Sequence, residues 1–193
     1  VACAKAIEKI AHTQGLKPKI AIVMGDNILG DLDQLYPSKG KFENLETSEP
    51  FDLVKSKIKS ANVYFGALPI VEALKKWDPD IIITGRATDT GITLAPMIYE
   101  FAWDVRDWDK LASGIVAGHM LECGCQITGG NFSDWQAVKD YHEMGYPVAE
   151  VSPDGTFVLT KHEQTGGFIS VDTVREQVFY EMGDPKYYIT PDV

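Results

Sequence analysis

Cysteine is scarce in this chain of 193 residues, and the three present, Cys3, Cys123 and Cys125, are an odd number. That argues against a disulfide framework and fits a reducing, cytoplasmic compartment. Long apolar runs are missing: none approaches the length of a membrane span, and no basic-apolar-small signal pattern opens the chain. Positive charge is in deficit, with 18 lysines and arginines against 28 aspartates and glutamates and a formal net charge of -10. So acidic a chain is a poor partner for nucleic acid or for anionic membranes. An anionic small molecule is still admissible, because it needs only a local arginine or a helix N-terminus.

What is present reads as a folded α/β protein. The apolar and charged fractions, 45% and 24%, are ordinary for a globular chain, and the length suits one domain spanning 1–193. The most informative stretch is Ile81-Ile82-Ile83-Thr84-Gly85-Arg86-Ala87-Thr88-Asp89, a β-branched run that stops abruptly at Gly-Arg. Such a run suits a strand buried on both faces of a parallel sheet, whose ligands bind beyond the carboxyl ends of its strands. Arg86, one of only three arginines, would offer its donor fork to a carboxylate or phosphate there, or else pair with Asp89 or another carboxylate at the sheet edge. Lys19 to Met24 repeats the pattern, ending in Gly25-Asp26-Asn27. If the two strands are parallel, Asp26 joins Arg86 and Asp89 at one edge, although Asp26 and Asn27 also suit a turn or cap.

The flanking segments alternate helix and strand. Residues 2–12 have helical spacing with Gly15 as a stop, Asn62 to Gly66 suits a short strand, and Pro69 to Trp77 a helix with proline in its first turn. Residues 28 to 52, with Pro37, Gly40 and Pro50, read as a long polar loop, and no P-loop spacing is present. Lys55, Lys57 and Lys59 suit a solvated face. Ile92 to Phe101 is helical provided the helix begins close to Pro96. Together these predict a Rossmann-like layered fold with a mainly parallel sheet, followed by a β-hairpin and a helix near the C-terminal end.

The candidate chemistry centres on the helix that Asp107 caps and Gly124 stops. Trp108, Leu111, Ile115, His119 and Glu122 share one face, so His119 and Glu122 are expected on the buried side. They form either a satisfied core pair or an acid-base pair opening onto a cleft. Thr128, Gly129, Gly130 and Asn131 follow as a loop able to approach a ligand or cradle an anion, without dinucleotide-fingerprint spacing. His119, Glu122, Cys123 and Cys125 lack the usual zinc spacings, so no metal ligand set is assigned. Neither Cys123 nor Cys125 has an evident base, which weakens a thiol nucleophile. Asp134 to Met144 reads as a polar helix, and Val151 to His162 as a hairpin turning at Pro153-Asp154-Gly155. Lys161 and His162 end the hairpin, Gly166 and Gly167 echo the earlier Thr-Gly-Gly, and Ser170 caps a last helix closed by Gly183 and Pro185.

Three segments, IIITGRATDTG, GHMLECGCQITGGNF and the run from Gly145 to Val193, resemble the acyclic terpene utilisation AtuA-like family. Members are longer, so the resemblance and the start at Val1 predict an internal or C-terminal piece of a larger domain. It implies degradation of citronellol- and geraniol-type terpenes through acyl-CoA thioesters, alongside an acyl-CoA carboxylase. It brings no assigned mechanism. The expectation is an enzyme acting on an acyl-CoA or related small carboxylate by hydration-dehydration or lyase chemistry, with no resident cofactor. His119 and Glu122 would move protons, with Asp89, Asp26 and His162 as further acid-base candidates. Gly85, Arg86, Thr128, Gly129, Gly130, Asn131, Lys161, Gly166 and Gly167 would bind substrate. The alternative is a non-catalytic binding subunit or scaffold that associates with the carboxylase, or a homo-oligomer.

Overall fold

Glycine and proline set many of the element boundaries in the computed structural model, which describes residues 1–38, 42–184 and 186–193. Gly40 and Pro185 lie outside the described residues. Helix α1 (Ala2–Thr13) ends where Gly15 takes a φ of +72°. There the amide of Gly15 donates to His12 and that of Leu16 to Ala11, closing a Schellman motif.

Strand β1 (Ile20–Val23) pairs in parallel with β2 (Ile81–Thr84), Ile20 opposite Ile81 and Val23 opposite Thr84. The crossover carries α2 (Leu32–Ser38) and α3 (Leu68–Trp77). Residues 28 to 52 are therefore not one long loop: a 3-10 turn at Leu29–Asp31 and α2 fill the first part, and Glu43 bridges Pro50 further on. Residues 62–66 form no regular strand; Asn62 bridges Asn27 and Phe65 bridges Ala87, extending the sheet by single bonds. Both strands are largely half-buried rather than covered on both faces, and Ile22 is 37% exposed. Among the described residues the parallel sheet has two strands, and a wider Rossmann-like layering is not shown.

Helices α4 (Gly91–Phe101) and α5 (Trp108–Glu122) stack beyond α3. Pro96 sits inside α4, five residues past its start rather than close to it. An interior proline costs about 3 kcal/mol, and the burial of Leu94, Ala95, Met97 and Ile98 around it offsets that cost. Gly114 and Gly118, one turn apart on α5, let α4 approach closely: a Cβ at Gly118 would press on the backbone and side chain of Thr90. On the same helix Leu111 and Ile115 are buried as expected, but Trp108 is 56% exposed because it lies in the first turn, beyond the packed segment.

The hairpin β3 (Pro147–Val151) and β4 (Phe157–Lys161) is antiparallel and packs on α5. Residues 134–144, expected as a helix, hold two 3-10 turns instead. Val138 is extended and buried against Gly129, and Asp140 takes a φ of +55°; neither fits a continuous α-helix. The last helix, α6 (Val171–Met182), begins with a capping box between Ser170 and Thr173. It buries Thr173 and Gln177 while Val171 is exposed, so the side facing the protein is partly polar. The result is a mixed α/β fold of six helices, a parallel strand pair and a hairpin among the described residues. Its core is Ile70, Val71, Leu94, Ile98, Leu111 and Ile115 with their neighbours. No described helix is long and apolar enough to cross a membrane.

Candidate active site

His119 lies in the last turn of α5, and its ring is held at both nitrogens. Nδ1 is 2.6 Å from Oε1 of Glu122, and Nε2 is 2.6 Å from the hydroxyl of Tyr188. The first contact follows from local geometry, because residues three apart on a helix are neighbours. The second is tertiary: the segment after α6 crosses back and lays Tyr188 edge-on against the imidazole. With Glu122 ionised, Nδ1 donates to the carboxylate and the Tyr188 hydroxyl donates to Nε2.

Helix α6 brings a third acidic group. Glu181 places Oε2 3.6 Å from Nδ1 of His119, while its Oε1 accepts from Gln177 and from the thiol of Cys123, both at 3.1 Å. The side chains of Glu122 and Glu181 are each 12% exposed, and that of His119 7%. Burial raises the pKa of Glu122, the charges of Asp89 and Glu181 push it the same way, and the His119 hydrogen bond opposes them. Tyr188 is pushed up to about 12, first by burial and then by the same carboxylates, so it keeps its proton at neutral pH. Cys123 is likewise pushed up to about 12, mainly by burial and its bond to Glu181, so its thiolate is not accessible at neutral pH.

These groups border a cleft of about 400 Å³ lined by Tyr64, Asp89, Thr90, His119, Glu181 and Tyr188, among others. Its wall is completed by the C-terminal residues, which are fastened to the start of α3. The amide of Ala67 donates to both carboxylate oxygens of Asp192, at 2.8 and 3.0 Å. Burial raises the pKa of Asp192, against the pull of that amide. Glu122 does not itself line the cleft; it stands behind His119.

The parallel strands do bring Asp26, Gly85 and Arg86 to one edge, with different roles. The Asp26 carboxylate accepts from the backbone amide of Arg86, which lowers its pKa, and from the Asn62 side chain at 2.8 Å. Asp26 thus ties the two strand ends together, and a Cβ on Gly85 would overlap it. Asn27 behaves as a turn former, its side chain accepting from the amide of Leu29. Arg86 is exposed, makes no ion pair among the described residues, and rests 5.7 Å from the ring centre of Tyr64, a cleft residue.

The remaining candidates gather elsewhere. Thr128 is fully buried and donates to Gly145 and Cys125, and the amides of Gly129, Gly130 and Asn131 donate to Gln126 and Cys125. Gly166 and Gly167 pack against Asp140 and Thr128 respectively, so the two Thr-Gly-Gly segments meet back to back. Lys161 donates to the carbonyls of His162 and Thr165, and His162 is exposed at the hairpin end. None of these lines the cleft. Tyr188, Glu181 and Thr90 are the residues that sequence reasoning missed. A signal existed for Glu181, since Thr173, Gln177 and Glu181 repeat every four residues as a polar stripe on α6.

The family model described as acyclic terpene utilisation family protein AtuA matches residues 1–193. The chain belongs to that family. Membership implies a role in acyclic terpene utilisation and specifies no reaction. No curated protein and no solved structure matches the chain. Within this AtuA-family chain, the segments that carried the resemblance supply both the cleft, through Asp89, His119, Glu181 and Tyr188, and the packed glycine turns beside it.

Proposed function

We propose that this AtuA-family protein is an enzyme of acyclic terpene catabolism. In this reading it transfers a proton at the carbon next to the carbonyl of an acyl-CoA or related small carboxylate, in a hydration-dehydration or lyase reaction. The observation that carries the reading is the unbroken chain Glu122, His119, Tyr188, joined by two 2.6 Å contacts and opening onto the cleft. His119 and Tyr188 face the substrate, and Glu122 fixes the ring and balances the charge that His119 gains with a proton. In a dehydration, the Tyr188 oxygen takes the proton leaving carbon as its own hydroxyl proton passes to Nε2 of His119. The proton held at Nε2 of His119 then returns through the Tyr188 hydroxyl to the departing hydroxide, which leaves as water. Arg86, free of ion pairs among the described residues and resting on a cleft aromatic, is placed to hold a phosphate or carboxylate of the substrate.

The test is to incubate the full-length protein with branched and terpenoid acyl-CoA esters and follow their masses by liquid chromatography. A gain or loss of water, or a split acyl chain, supports the reading. Glu122→Gln should then fold and bind substrate yet lose roughly 100-fold or more in turnover, within the usual range for acid-base catalysis. An unchanged panel in which CoA still raises the melting temperature would instead favour a binding subunit.

A further inference from the structure

The cleft gathers negative charge without covering it. Asp89 and Glu181 line it and Glu122 stands behind His119, and no lysine or arginine forms an ion pair with any of them among the described residues. Among the described residues the basic group paired with Glu122 and Glu181 is His119. We propose that His119, Glu122 and Glu181 form a binding site for one divalent first-row transition-metal ion.

The geometry carries this. One ligand atom from each residue can be chosen so that all lie within 4.8 Å of one another. Four-coordinate sites with bonds of about 2.1 Å separate neighbouring ligand atoms by roughly 3.4 Å. The 3.6 Å between His119 Nδ1 and Glu181 already matches, and the 2.6 Å edge to Glu122 opens by roughly 1 Å when the ion replaces the shared proton. His119 also has the outer support such a ligand needs: with Nδ1 on the ion, Nε2–H donates to the oxygen of Tyr188. Gln177 holds Glu181 from behind and donates to the His119 carbonyl.

A second observation points to a missing ligand. Thr90 is 1% exposed, yet its hydroxyl has no hydrogen-bond partner among the described residues and lies on the wall of the same cleft. A buried hydroxyl left alone is costly, and a water or substrate oxygen carried on the ion would satisfy it. Two carboxylates and one imidazole suit Mn²⁺ or Zn²⁺. These ligands differ from the Cys and His spacings of the sequence, because the third comes from α6.

This inference rests on the cleft being the reaction site, but not on which group moves the proton. With an ion bound, His119, Glu122 and Glu181 would hold it, and it would supply Lewis-acid polarisation of a substrate carbonyl.

Metal binding is read without substrate, by titrating Mn²⁺ into the metal-stripped full-length protein and following free Mn²⁺ by electron paramagnetic resonance. One ion per chain is expected. Glu181→Gln and His119→Gln should each weaken binding at least tenfold, and His142→Ala, on an exposed turn, should not. Glu181→Gln preserves shape, so it decides the matter if His119→Gln fails to fold. Absence of saturable binding of either Mn²⁺ or Zn²⁺, or unchanged affinity in Glu181→Gln, overturns the site while leaving the acyl-CoA reading intact. Binding that obeys these variants, with no turnover across the acyl-CoA panel, supports the site and sinks the reaction.

Discussion

Removing the carboxylate of Asp192 is the sharpest test of how the cleft is closed. In Asp192→Ala the Ala67 amide, at the buried start of α3, loses its only two acceptors among the described hydrogen bonds. An unsatisfied buried donor costs about 1–3 kcal/mol. The loss of a negative charge at a helix N-terminus adds roughly 0.3–1 kcal/mol. Against this, the variant is spared the burial of a charge, which the raised pKa shows to be unfavourable. The balance is a net loss of about 1–2 kcal/mol, near the usual cost of deleting an N-cap. For a chain of this size that is a fall of roughly 2–8 °C in melting temperature.

The pH dependence has a definite sign. Burial raises the folded pKa of Asp192 above its ordinary value of 3.8, so between the two values the folded chain holds more protons than the unfolded one. This group's contribution to stability is therefore intact below the ordinary value and declines as pH rises through the raised one. Asp192→Asn keeps an acceptor but cannot ionise. Relative to wild type it should gain stability as pH climbs from the ordinary value of 3.8 through the raised one. Thermal melts of the three proteins across that range provide the assay. If Asp192→Ala melts like wild type, the capping argument is wrong; if the difference between wild type and Asp192→Asn is flat with pH, the burial argument is wrong. Gly66→Ala gives an internal check. Its Cβ would displace the same carboxylate, so its cost should fail to add to that of Asp192→Ala.

Gly118→Ala sets two effects against each other: alanine favours an interior helix position by about 1 kcal/mol, whereas overpacking costs about 1–3 kcal/mol. Because the obstacle includes the Thr90 backbone, which cannot swing aside, the variant should be less stable in urea; a stabilised variant would show that α4 yields. Ser170→Ala removes the side chain that caps the Thr173 amide at 3.2 Å and should cost about 1 kcal/mol by chemical denaturation, with Ser170→Asp restoring most of it.

What could be read from the sequence was what neighbouring residues decide among themselves. Gly15 and Ser170 mark helix ends because their backbone and side chain satisfy amides and carbonyls within a few positions. The two β-branched runs pair in parallel, and the strand-end Asp26 and Arg86 fall at one edge as their common pattern implied. His119 and Glu122 meet because a helix places residues three apart on one side. Where local pattern met tertiary demand, it gave way: residues 134–144 have helical composition, but seating Val138 on Gly129 extends the backbone there. The glycine turns show the same limit, since Gly129 and Gly167 take positive φ for close packing, and a ligand cradle would carry the same residues. Glu181 and Tyr188 were beyond reach for a simpler reason. They stand 62 and 69 residues after His119, and only the docking of α6 and the return of the C-terminal segment to α3 bring them to the imidazole. The sequence alone determined that His119 and Glu122 meet on one helix; the tertiary structure decided that His119 faces a cleft and which groups share it.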